Sequence, residues 1–119
     1  MKNGKIEQFL DIGWFSEATL YLDGYTYWCE GTWTEDGREK PMHLTIQKYK
    51  SCVVNDVYTK CYVDSNGDAV DFENVLDEWF HNEAEAKKYF LESKIFENKT
   101  FWEVESEIAW YDEIGSITI

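Results

Sequence analysis

Two glycine-containing turn signals, Asp23-Gly24 and Asp36-Gly37, constrain the fold most, because the chain around them is rich in Thr, Tyr, Trp and Leu. Asp-Gly between β-prone runs signals a hairpin, since the tight turn needs positive φ and glycine supplies it without steric cost. The first divides residues 18–34 into strands at about 18–22 and 25–34. The second lies within Glu35-Asp36-Gly37-Arg38. After it, Met42, Leu44 and Ile46 alternate with His43, Thr45 and Gln47, which is the period-two pattern of a half-buried strand. Lys48, Tyr49 and Lys50 extend that strand with charge of the kind that protects a sheet edge. Residues 52–63 are again β-prone, with Val57, Thr59, Cys61 and Val63 on one face, and Asn66-Gly67 follows as the strongest local turn signal.

Helical spacing appears mainly later in the chain. Ile6, Phe9 and Leu10 predict a short helix over 5–15 that ends near Gly13. Ala69–Phe72 reads as a short return strand or as the lead-in to a helix. Phe72, Val75, Leu76, Trp79 and Phe80 recur at i, i+3, i+4, i+7 and i+8, which predicts helix over 72–80. Asn82 with Glu85 three residues on predicts a capped helix over 83–93, with Ala86, Tyr89 and Phe90 inside. Residues 94–99 connect it to an ambiguous stretch, 101–111. As a strand, that stretch sets Trp102, Val104, Ser106, Ile108 and Trp110 against Glu103, Glu105 and Glu107. As a helix, it aligns Phe101, Val104, Ile108 and Tyr111. The Thr100/Glu103 capping pair tips the reading to helix. Ser116–Ile119 allow a terminal strand.

A sheet-rich first half followed by a helix-rich second half predicts an α+β domain: an antiparallel sheet of about four to five strands, with two to four helices, mostly C-terminal, packed on one face. Residues 1–119 form a single domain of a size that buries one core unaided. Its abundant aromatics, six Trp, eight Tyr and seven Phe, argue against disorder despite the charge.

No residue set spells out a reaction. Asp64-Ser65-Asn66-Gly67-Asp68 begins like a calcium loop, but Ala69 and Val75 stand where such a loop needs glycine and a bidentate glutamate. Cys29, Cys52, Cys61, His43 and His81 include no close pair that would pre-form half a zinc site. The thiols read as buried strand residues, His43 as a surface residue and His81 as a helix-entry residue. No Gly-rich phosphate loop follows a strand. The expectation is therefore a protein without catalytic residues, metal or cofactor.

Charge is the remaining signal. The chain carries a net −13, and residues 64–113 hold fifteen carboxylates against four lysines, net −11, so the rest contributes only −2. Such a chain repels phosphate backbones and anionic lipid and is steered toward basic surfaces. The expected partner is a basic protein, a nucleic-acid-binding protein or nuclease, with neither nucleic acid nor membrane bound directly. Residues 1–25 lack a basic start followed by an apolar run, and no stretch approaches the roughly 20 apolar residues of a membrane span, so the expected location is cytoplasmic.

Asp77, Glu78, Glu103, Glu105, Glu107, Asp112 and Glu113, together with Tyr25 and Tyr27 of the aromatic sheet, are the candidate partner-binding residues. On a strand, the three glutamates at 103–107 would stand about 6.6 Å apart, comparable with nucleic-acid charges about 3.4 Å apart along one strand's axis on a longer through-space path. The expected function is an acidic inhibitor that occupies the basic groove of a nucleic-acid-binding protein. Small anti-CRISPR and antirestriction proteins of phages and mobile elements work this way, and the parallel is one of size and charge. One alternative is an immunity protein that caps a basic toxin or nuclease. Another is a small enzyme or ligand-binding domain using the aromatic sheet face.

Overall fold

A computed structural model of the chain describes residues 18–54, 57–60, 66 and 72–111. The predicted helix over 5–15 and the terminal strand at 116–119 lie outside those residues, as do Asp112 and Glu113. The described part is an antiparallel sheet with helices packed on it, an α+β arrangement.

Strands β1 (Ala18–Leu22), β2 (Tyr25–Trp33) and β3 (Met42–Val54) form a meander. Asp23 and Gly24 adopt φ of 51° and 81°, the positive pair that a tight hairpin turn requires, and Gly37 repeats the positive φ at 81° in the second connection. Strand β4 (Val57–Lys60) folds back on the far end of β3. Residues 52–63 are therefore not one strand, since Cys52, Val53 and Val54 belong to β3 and pair with β4. Strand β5 (Glu73–Phe80) pairs with the near end of β3, and β6 (Ala109–Tyr111) pairs with β1. The two short strands β4 and β6 bring the sheet to six. Helix α1 spans Glu83–Glu92 and the single-turn helix α2 spans Phe101–Val104.

The helix expected over 72–80 is strand β5 instead. Its apolar spacing has two sources that imitate a helix. Leu76 and Phe80 point to the core, while Trp79 lies on the opposite face, stacked on His43 of β3. The ladder also slips between Ile46 and Gln47, which pair with Leu76 and Asn74, so Val75 is an extra residue that changes the phase. Residues 101–111 divide between the two readings, with a helical turn over 101–104 and strand from 109.

The core lies between one sheet face and the helical segments. Leu20, Tyr27, Cys29, Leu44, Ile46 and Leu76 supply the sheet side, and Ala86, Phe90, Phe96, Phe101, Val104 and Ile108 the other. Rings interlock across it: Tyr27 with Phe96 at 4.8 Å between centroids, and Phe90 with Phe101 at 5.6 Å. Asn82 Oδ1 accepts the Glu85 N–H at 2.9 Å, which caps α1 as its sequence predicts. The Glu103 carboxylate accepts the Thr100 N–H at 3.1 Å and holds the start of α2. No helix among the described residues is long and apolar enough to cross a membrane.

Lys48 ties the 94–99 connector to the sheet. Its ammonium lies 4.3 Å from the Tyr25 ring centroid and is ion-paired with Glu97, which adopts a positive φ of 51° beside Asn98 at 68°. Burial opposes the charge on Lys48, but the hydrogen bond to Glu97 and the neighbouring Tyr27, Glu97 and Glu73 outweigh it and raise the pKa.

Candidate functional site

Strand β5 carries Glu73, Asp77 and Glu78, all exposed, and β3 is its only strand partner among the described residues. Register decides where each carboxylate points. Asp77 lies opposite Thr45 and shares the face of His43 and Trp79, whereas Glu78 lies opposite Leu44 and Glu73 opposite Lys48, on the helix-covered side. The chain then turns at His81 and enters α1, whose first turn adds Glu83 and Glu85. The carboxylates thus line β5 on both of its faces for roughly 17 Å at the strand rise per residue, and the acidic row continues into the helix start.

Next to this row is a chain of contacts that sequence reading missed. His43 and Trp79 stack with centroids 4.1 Å apart and planes 6° from parallel. His43 Nε2 lies 2.6 Å from Asp77 Oδ1 and is the donor when that carboxylate is ionised, because an ionised carboxylate only accepts. The Arg38 guanidinium sits 4.2 Å from the Trp79 ring centroid and forms a bidentate pair with Asp36, at 2.9 Å from Nε and 2.8 Å from Nη2. That pair lowers the pKa of Asp36. The 36–40 loop and Trp79 enclose a shallow open depression at this end of the sheet. The signal available in sequence was the register: His43 and Trp79 become opposite neighbours once β5 is read as a strand.

His81 bridges the loop and the helix. Its Nδ1 lies 2.9 Å from Glu85 Oε2 and its Nε2 lies 3.6 Å from Glu39 Oε1. The hydrogen bond with Glu85 raises the His81 pKa above the ordinary 6.5, with Glu39 adding to it. A raised folded-state value means that this contact stabilises fully below the unfolded pKa and fades as pH rises through the folded one. An NMR titration is expected to place the His81 midpoint above 6.5, and Glu85→Gln to bring it down. A midpoint at or below 6.5 in the unsubstituted chain would remove the bridge from the account.

The other predicted residues scatter. Glu103 is exposed but serves the α2 cap, and its pKa is lowered by the Thr100 N–H. Glu105 is half-buried at the end of that helix, and Glu107 is exposed in the turn after it. With 101–104 helical, the three do not form an evenly spaced row. Tyr27 is 1% exposed in the core and offers a partner no surface, and Tyr25 is partly buried beneath Lys48. Cys29 is buried, which pushes its thiol pKa far up and makes it a poor nucleophile. Glu78, Glu92, Glu105 and Glu107 form no ion pair among the described residues, whereas Glu83 faces Lys87 at 3.9 Å. Trp33 and Trp102 are the most exposed large apolar side chains described, at 55% and 54%. Comparison with family models, curated proteins and solved structures returned no match.

Proposed function

We propose that this chain is a small acidic inhibitor that works by occupancy, without catalysis or cofactor, in the cytoplasm, seating its β5–α1 row in the basic nucleic-acid-binding groove of a target protein. The observation that supports this reading is the run of exposed carboxylates Glu73, Asp77, Glu78, Glu83 and Glu85 along β5, which pairs only with β3 among the described residues, and the helix start that follows it. A groove built for phosphates presents Lys and Arg at close intervals. A row of fixed carboxylates meets those charges without the ordering cost of a flexible tail. The anti-defence proteins of phages and mobile elements are the functional class that this mode of action fits. The exposed Trp33 and Trp102 support a second reading, an immunity protein anchored by aromatics over a toxin or nuclease active site.

Competition separates the two. With the target captured on the tagged chain, labelled duplex DNA or RNA should be displaced in proportion to bound inhibitor, and binding should weaken between about 50 and about 200 mM salt. Complete inhibition with nucleic acid still bound, and little salt dependence, would count against groove occupancy and for active-site capping.

A further inference from the structure

Resting on that acidic-inhibitor reading, we infer that the outer edge of β5 is a docking edge for an extended basic segment of the partner, which adds to the sheet as a further strand and places two consecutive basic residues opposite Asp77 and Glu78. In an antiparallel ladder, successive residues direct their N–H and C=O groups to opposite sides, so about half of the backbone groups of β5 project away from β3. Among the described residues no strand pairs with that side. Beyond the irregularity at Val75, Leu76–Phe80 pair in continuous register with β3, Ile46 opposite Leu76 through Met42 opposite Phe80, so five residues present a regular edge.

Charge selects the occupant. Asp77 and Glu78 are adjacent, hence on opposite faces, and both are exposed. Cross-strand neighbours sit about 4.5–5.5 Å apart at Cβ, so an incoming strand must carry a cation on each face at neighbouring positions to pair both. A basic-basic dipeptide inside a β-prone segment meets that requirement. A strand with one basic residue in two would satisfy one face only. Carboxylates on an edge repel another acidic chain, which disfavours a second copy of this protein as the occupant.

The probe is an acetylated, amidated octapeptide, Thr-Val-Thr-Lys-Arg-Thr-Val-Thr, added to the full chain and followed by backbone NMR and amide exchange. The control keeps the same side chains and charge but is methylated at each backbone nitrogen, so it has no donors. The unmodified peptide should shift the amides of 73–80, slow their exchange and bind about tenfold or more tightly than the control, because main-chain hydrogen bonds carry this mode of recognition. Equal binding by the two peptides, shifts centred away from β5, or no binding by either would overturn edge docking. None of those outcomes decides the inhibitor reading, which stands or falls on the nucleic-acid competition.

Discussion

Phe90→Ala is expected to lower the free energy of unfolding by about 3–5 kcal/mol, a large share of the roughly 5–15 kcal/mol available to a domain of this size. Phe90 is fully buried at the point where α1, the connector and α2 meet. Its ring lies 5.6 Å from that of Phe101 and 6.2 Å from that of Phe96, and Phe96 in turn contacts Tyr27 of β2. Truncation loses the transfer energy of the ring and leaves a void that these fixed neighbours can fill only in part. It also uncouples the helical layer from the sheet at one step. Urea unfolding should show a lower midpoint with an unchanged slope, which assigns the loss to stability and not to a change in exposed surface. Lys88→Ala, two residues away on the exposed side of the same helix, serves as the control and should cost about 0.5 kcal/mol or less. Tyr89, expected inside with Phe90, is 41% exposed yet packs on Phe80 at 5.2 Å between centroids, so its truncation would not be neutral. A Phe90→Ala loss as small as that of the control would place the core elsewhere.

The elements that sequence made legible are those whose signal is local. The turn at Asp23-Gly24, the alternation from Met42 to Gln47 and the Asn82 cap all hold in the structure, because each rests on backbone geometry or period within a few residues. The failures share a different cause. In β5, Trp79 packs against Arg38 and His43 on one face while Leu76 and Phe80 enter the core on the other, and the irregular step at Val75 shifts the phase between them. A period argument assumes one apolar face and one phase, and β5 has neither. The stretch 101–111 satisfied both templates because the Thr100/Glu103 cap governs its start and pairing with β1 governs its end. The acidic surface was legible as an imbalance of charge but not as a shape. Its placement depends on which carboxylates the fold uses, and Glu103 is taken by the α2 cap while Glu78 is left free of ion pairs among the described residues.

The same distinction predicts which charge reversals matter. Under groove occupancy, Glu73→Lys, Asp77→Lys and Glu78→Lys combined should weaken target binding by about 100-fold or more, since each replaces an attraction by a repulsion inside a basic site. Reversal of Glu103, Glu105 and Glu107 should weaken it by about tenfold or less. That set lies outside the β5–α1 row, in a short helix and turn, and Glu103 is already engaged by the Thr100 N–H. The comparison controls for net charge, because both triple variants change it by the same amount. Their stabilities need separate measurement, because Asp77 also holds His43 and Glu103 also caps α2. Asp77→Asn with Glu78→Gln therefore serves as the gentler version, removing both charges while the amide oxygen introduced at position 77 can still accept from His43. Titration calorimetry at two salt concentrations should show the β5 variants losing both affinity and salt dependence. If instead the two triple reversals weaken binding equally, net charge alone drives association and the β5 row has no special place in it.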